Sequence, residues 1–351
     1  MENPAGLNEM SPGGGQGVSS MDGSPDSVFR SGYIAIAGRP NTGKSTFLNR
    51  ILGRKAAIVT PKAQTTRTRI LGVYEQNNVQ MVFLDTPGIH NPGRILLNQA
   101  MVQTAYESCR EADVTLYFVD AASGVTWEDR EILAHPLLAG SVVILVFNKM
   151  DRTPQERMMM RLAEVAPLLG ADFASADGAS TDGVKKSGVN KIVEVVPISA
   201  LTGKNVESLL RLLPRFLPEG PRYFPVGQWT DQSETFIIAE VIREKLFMQL
   251  QQELPYALAV QVVAWNKRPP PSPVRDLDAI ILVARESQKG IVIGHQGQVL
   301  KRVGALARKE LESLFDGPIY MRLQVRVKKD WNVDPGTLLD LGYTEPSGDA
   351  D

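Results

Sequence analysis

The sequence predicts a doubly wound, mostly parallel α/β domain followed by a smaller, separate α+β domain. Three observations carry this. Between Tyr33 and Pro197 short apolar runs alternate with longer amphipathic stretches, the pattern of a parallel sheet covered by helices on both faces. A glycine-rich turn, Gly38-Arg39-Pro40-Asn41-Thr42-Gly43-Lys44-Ser45, joins the first apolar run to the first amphipathic one. Around 218–225 prolines and Gly220 interrupt the alternation, and beyond them the order of elements changes.

Taken in order, the first domain spans 31–217, with strands expected at 33–37, 70–74, 80–84, 115–119, 142–147 and 192–197. Helices are expected after Ser45 and at 96–109, 155–169 and 206–213. Residues 170–190 are small, polar and rich in Gly, Ser and Asp, and read as a surface insertion. A linker covers 218–234. The second domain, 235–331, reads helix, strand, strand, helix, helix, strand, with its first helix at 235–252 set by Phe236, Ala239, Ile242, Leu246 and Leu250. Residues 332–351 read as an acidic tail, and 1–30 as a disordered one.

Bulk composition bounds the rest. The 351 residues suit about two domains, and a net charge of −1 points to no partner class by itself. Cys109 is the only cysteine, so no intramolecular disulfide can form. No apolar run approaches the roughly 18 residues of a membrane span. Residues 1–30 carry one basic residue, Arg30, and no apolar segment, which excludes a secretory signal or an Arg-rich transit peptide. A reducing cytosol fits. His90, His135 and His295 are far apart with no cysteine partners at ligand spacing, which argues against zinc.

The turn Gly38–Ser45 fits G-x-x-x-x-G-K-[ST], in which backbone N–H groups cradle phosphates, Lys44 reaches the β- and γ-phosphates, and Ser45 ligates magnesium. The helix start behind it favours anions through its free amides and dipole. Four motifs follow, each at a strand's carboxyl end or in a neighbouring loop. In Gln64-Thr65-Thr66-Arg67 one threonine can complete magnesium coordination while a γ-phosphate is present. Thr66 is favoured, although spacing does not separate it from Thr65. In Asp85-Thr86-Pro87-Gly88, Asp85 holds magnesium and the Gly88 N–H approaches the γ-phosphate. In Asn148-Lys149-Met150-Asp151, the Asp151 carboxylate accepts from guanine N1–H and the 2-amino group, which adenine cannot satisfy. Asn148 braces adjacent loops and Lys149 lies along the base. In Ser199-Ala200-Leu201 a backbone N–H can donate to guanine O6.

Together these motifs resemble those of a translation-factor-class GTPase, which implies an α/β P-loop GTPase domain with GTP/GDP and magnesium as cofactors. Two positions bear on mechanism. Ile89 stands where a Ras-like enzyme carries the water-orienting glutamine, and an isoleucine cannot hold water by a side-chain hydrogen bond. Asn41 occupies the loop position that, in GTPases sharing this loop, helps bind potassium; its other reading is a loop-stabilising amide. Slow, potassium-stimulated hydrolysis is expected, with Lys44, Thr66, Gly88 and Asn41 as the catalytic set.

In the second domain, Gly294-His295-Gln296-Gly297 falls between an apolar piece and a helix, in the GxxG position of a KH domain, where such a loop clamps single-stranded RNA. The order of elements matches a type II KH fold. From Arg285 to Asp330 ten basic residues, including Lys301 and Arg302, stand against five acids, an electrostatic footprint expected of RNA binding.

This combination resembles the Era family, from about Tyr33 to Trp331. The resemblance implies binding to the 3′ end of 16S ribosomal RNA, assistance to maturation of the 30S subunit as a monomer, cytoplasmic residence and peripheral contact with the inner membrane. His295-Gln296 departs from the basic residue the family often has inside GxxG. The competing reading is a GTPase of another class, membrane-associated or a tRNA-modification partner, whose C-terminal domain binds protein.

Overall fold

The computed structural model describes residues 28–62, 64–138, 140–169, 191–251 and 254–343. The expected insertion at 170–190 and most of the expected N-terminal tail lie outside the described residues.

The first domain runs β1 (Arg30–Ala37), α1 (Lys44–Leu52), β2 (Ile70–Gln76), β3 (Val79–Asp85), α2 (Leu96–Glu111), β4 (Val114–Asp120), α3 (Trp127–Leu133), β5 (Val142–Asn148), α4 (Gln155–Val165), β6 (Lys191–Pro197) and α5 (Val206–Leu212). One six-stranded sheet has the order β2-β3-β1-β4-β5-β6. Only β2 is antiparallel to its neighbour, as expected for a strand joined to β3 by the short Asn77-Asn78 turn. β4 and β5 are buried almost throughout, because helices cover both faces. One core packs α1 and α5 against the sheet through Phe47, Leu48, Ile51 and Leu209; the other packs Ala105, Cys109, Ile132 and Met158 on the opposite face.

α1 shows why the sequence folds this way locally. Phe47, Leu48 and Ile51 fall on one buried stripe at helical spacing, and Gly53 closes the helix in the left-handed conformation. The linker beyond α5 is strapped to the first domain. Tyr223 stacks on Tyr33 with centroids 5.1 Å apart. Gln80 accepts from the Tyr223 and Phe224 N–H groups, and Val73 N–H donates to Trp229 O at 2.9 Å.

The second domain runs α6 (Glu234–Gln249), β7 (Leu258–Lys267), β8 (Arg275–Val283), α7 (Glu286–Ile293), α8 (Gln298–Leu314) and β9 (Ile319–Val327). β7 and β8 are antiparallel, β8 and β9 parallel, and α6 and α8 cover one sheet face through Ile238, Ile242, Leu246, Val303, Ala307 and Leu311.

Two expectations need correction. The first concerns α6, which is no simple amphipathic helix: Arg243, Glu244 and Lys245 are buried on it as well as the apolar stripe. The first domain covers its far side, a contact that periodicity within one segment cannot reveal. The second concerns 332–351, whose described part is not a tail. α9 (Pro335–Asp340) forms, and Trp331, Leu338 and Tyr343 pack on Ala259, Ile280 and Leu282 of the second sheet and on Leu97 and Met101 of α2. Asp334 caps α9 and Trp331 is fully buried. Apolar residues among the acids, spaced too sparsely for a periodic signal, make this clasp between the domains.

Candidate functional site

A cleft of about 470 Å³ opens outside the carboxyl ends of the parallel strands, where ligands bind in open α/β sheets. Asn41, Lys44, Ser45, Thr66, Gly88 and Asp151 are among the residues lining it. The phosphate loop forms one wall. Gly43 has φ 96°, and a Cβ there would lie 2.2 Å from Asn148 Nδ2, so only glycine allows the loop to close on its neighbour. The Lys44 ammonium is buried and donates to Gly38 O and Arg39 O, each at 2.9 Å. Burial lowers its pKa to about 8, against the opposing pull of Asp85.

Behind the loop three oxygen-bearing side chains converge. Ser45 Oγ donates to Asp85 Oδ2 at 2.6 Å and lies 2.9 Å from Thr66 Oγ1. Asp85 Oδ1 is buried with no hydrogen-bond partner. Burial raises the pKa of this carboxyl to about 6, outweighing the Ser45 hydrogen bond and Lys44. Two hydroxyls and a buried carboxylate with a spare oxygen are the donor chemistry of a hard divalent cation. Thr65 turns the other way: its hydroxyl is 2.7 Å from that of Thr60 and donates to Lys62 O at 2.8 Å.

At the far end, Asn148 ties three loops together. Its Nδ2 donates to Thr42 O at 2.7 Å, and its Oδ1 accepts from Ala200 N–H at 2.9 Å. Ser199 Oγ donates to Asp151 Oδ1 at 2.6 Å, fixing the carboxylate in the cleft wall. Lys149, at φ 68°, stretches to Asp120 at 2.8 Å.

The GxxG loop lies in the second domain, between α7 and α8. Gly294 has φ 73°, and a Cβ there would meet Val299 Cγ2 at 2.4 Å, so glycine is required for the close packing of α8. His295 and Gln296 form the tip, Gln296 at φ 51°. The loop feeds α8, which carries Lys301 and Arg302, and Ile291 of α7 is exposed.

Comparisons with known proteins agree with this division. A family model described as a 50S ribosome-binding GTPase matches residues 33–149, and one described as a KH domain matches 253–332. The chain is 42% identical over 318 residues to GTPase Era of Syntrophus aciditrophicus, covering 91% of this chain and 96% of that protein. It is 43% identical over 321 residues to GTPase Era of Geobacter metallireducens, covering 91% and 99%. The chain belongs to the Era family of GTPases. Two solved Era structures superpose with a TM-score of 0.80 at 36% identity over 90% of this chain. One, of Aquifex aeolicus Era Y63A, is bound to GDP and tetrafluoroaluminate; the other is an Era complex with MgGDPNP and nucleotides 1506–1542 of 16S ribosomal RNA.

Within this Era-family architecture some sequence expectations move. Arg67 does not reach the nucleotide cleft. The residue is only 4% exposed, and its guanidinium donates to Leu258 O at 2.7 Å, Tyr256 O at 3.1 Å and Pro255 O at 3.2 Å, all in the second domain. The carbonyls at the entry to β7 supply a better set of acceptors than a solvent-filled cleft. Arg39 likewise turns outward, pairing with Glu128 and with the buried Asp129. Ile89 is 2% exposed and packs into the core, while its N–H donates to Gly38 O at 3.2 Å. Thr86 bonds Ile36 O at 2.8 Å rather than facing the cleft. Asn41 Nδ2 donates to Pro61 O at 3.2 Å.

Sequence reasoning missed the groups that bind the domains together. Arg243 donates to Thr65 O and to Glu240, Lys62 donates to Phe247 O and Leu250 O, and Lys55 pairs with both Glu244 and Glu310. Burial works against ionisation of Glu310, but hydrogen bonds from Lys245 and Lys55 outweigh it and hold the carboxyl below its ordinary range. Basic residues at 55–67 and a charged stretch at 240–245 are both visible in the sequence, but they lie far apart in it and nothing in one sequence pairs the two.

Proposed function

We propose that this Era-family chain binds and hydrolyses GTP, and that its nucleotide state governs binding of the KH domain to the 3′ end of 16S ribosomal RNA during 30S maturation. One observation carries the coupling: consecutive residues face different domains. Thr66 sits against Ser45 in the nucleotide cleft, while Arg67 is held by three carbonyls of the second domain. A change in the position of Thr66 therefore moves an anchor of the KH domain.

Each residue has a role that follows from its atoms. The loop Gly38–Ser45 presents N–H groups to phosphates, and Lys44, once turned from Gly38 O and Arg39 O, offers its ammonium to them. Asp151, buttressed by Ser199, accepts from the guanine edge, and Asn148 holds the loops around the base. Magnesium would be held by Ser45, Thr66 and Asp85, and when bound supplies positive charge at the phosphates. Gly88 offers its N–H beside the γ-phosphate. Asn41, close to Pro61 at the cleft mouth, supports potassium binding there; hydrolysis several-fold faster in potassium than in sodium buffer checks this, and equal rates would exclude it.

In the second domain, the His295-Gln296 tip and the start of α8 would receive the RNA backbone, with Lys301 and Arg302 adding charge. The test is binding of a fluorescent oligonucleotide of the 16S 3′ end by the full chain. Gln296→Asp puts at this positive φ a residue that accepts it more readily than glutamine, so it adds charge without disturbing the loop. It should weaken binding about tenfold or more at moderate salt; unchanged affinity, or no binding by the native chain, would refute the reading. From the resemblance we retain action as a monomer, cytoplasmic residence and peripheral membrane contact. No described helix is long and apolar enough to cross a membrane, and sedimentation with anionic vesicles tests surface contact.

A further inference from the structure

Ile89 leaves hydrolysis without the glutamine that orients water in Ras-like enzymes, and its side chain is buried in the core. The structure brings another amide to the same end of the cleft. Gln64, from the loop that carries Thr66, lines the cleft beside Gly88 and Pro61. Its position is imposed by two features. The backbone has φ 54°, a left-handed conformation uncommon for a glutamine. The side-chain Nε2 lies 2.9 Å from His90 Nε2.

His90 settles which end of the amide is free. Its Nδ1 lies 2.8 Å from Gly88 O, an atom that can only accept, so Nδ1 carries the proton. In the neutral ring Nε2 is then the acceptor, and Gln64 donates to it through Nε2. The Gln64 carbonyl oxygen is left over, with no hydrogen-bond partner among the described residues. An amide held by its nitrogen and open at its oxygen is equipped to accept from a water molecule. The bond also joins the Gln64–Arg67 loop to the Asp85–His90 segment, so the two loops that would face a γ-phosphate fix this side chain jointly.

We propose that Gln64 is a catalytic residue that orients the attacking water, and that His90 is the positioning residue that selects and holds its amide. The proposal rests on the GTP-hydrolysis reading above. In the reaction the water oxygen bonds to the γ-phosphorus, and the bond from that phosphorus to the β,γ-bridging oxygen breaks with its electron pair going to GDP. One water proton is transferred to the released phosphate. Gln64 takes no proton; it accepts a hydrogen bond and lowers the entropic part of the barrier by fixing the direction of attack.

The experiment is single-turnover GTP hydrolysis by the full chain, with affinities for GDP and a non-hydrolysable GTP analogue measured in parallel. Gln64→Asn tolerates the left-handed backbone but is one methylene short, and Gln64→Gly removes the side chain while relieving φ. Each should slow hydrolysis about 10²-fold, the cost of losing a well-placed group, with nucleotide affinity changed by less than about twofold. His90→Ala should slow the native chain by about tenfold but add less than about twofold in the Gln64→Gly background, because it acts through the amide. Native rates in both Gln64 variants, or an equal effect of His90→Ala in both backgrounds, would overturn the proposal while leaving GTP hydrolysis intact. A native chain that binds GTP and never cleaves it would overturn the underlying reading and this assignment with it.

Discussion

Replacing Arg67 by methionine should uncouple the two domains while leaving each folded. Methionine keeps most of the apolar bulk against Phe247 and Trp331, whose rings lie 5.8 and 5.9 Å from the guanidinium carbon. What it removes is three hydrogen bonds of 2.7 to 3.2 Å from a buried cation to Leu258, Tyr256 and Pro255 carbonyls. Hydrogen bonds to charged groups contribute about 1.5–3 kcal/mol each, but three on one guanidinium are not additive. Removing them leaves three carbonyls without a donor at a cost of about 3–5 kcal/mol together, so the docked-to-undocked ratio should fall about 10²- to 5 × 10³-fold. Native-state hydrogen exchange reads this directly. Amides of the loop at 60–66 and at the start of β7 should exchange faster by that factor, with the central strands β4 and β5 unchanged. Arg67→Lys should fall between, since one ammonium cannot reproduce the planar fork. Unchanged exchange at both segments, or uniform acceleration through β4 and β5, would refute the coupling.

Three further outcomes follow from single side chains. Asn148→Ala strands the Thr42 carbonyl and the Ala200 N–H, and at about 1–3 kcal/mol for each unpaired group should weaken GDP binding about 10²-fold or more, read by titration with a fluorescent analogue. Trp331→Ala, removing a fully buried indole from the interdomain clasp, should cost about 3–5 kcal/mol of stability by denaturant unfolding; a loss below about 1 kcal/mol would mean the clasp is slack. Cys109 is fully buried and burial pushes its thiol up to about 12, so it should resist alkylation at neutral pH until the protein is unfolded. Rapid labelling of the native protein would contradict this.

Much of the fold was legible because local pattern and global architecture agree. Near-continuous apolar strands such as 142–147 can only be buried on both faces, and a phosphate loop between such a strand and a helix has one architectural place. The cleft was legible for the same reason: Asp85, Asn148 and Ser199 each stand just at or past a strand's carboxyl end, so the topology gathers them. What the sequence hid is what depends on a partner surface. Arg67 looks like part of a nucleotide motif, because adjacency to Thr66 says nothing about which way a side chain turns. The buried charges of α6 break its amphipathic pattern because a second domain covers them. Trp331 and Tyr343 sit in an acidic, proline-bearing stretch with no period to announce that they close a core. His90 carries no motif of its own; its bond to Gln64 is a contact across 26 residues of separation that only the fold supplies.

The most direct test of the account is the affinity of the full chain for a 16S 3′-end oligonucleotide, compared between the GDP state and a non-hydrolysable GTP state. Nucleotide control through Thr66 and Arg67 predicts affinities that differ by about five- to 150-fold, the usual range of coupling between sites, and a difference that collapses in Arg67→Met. Equal affinity in the two states, or a difference that survives intact in Arg67→Met, would contradict it.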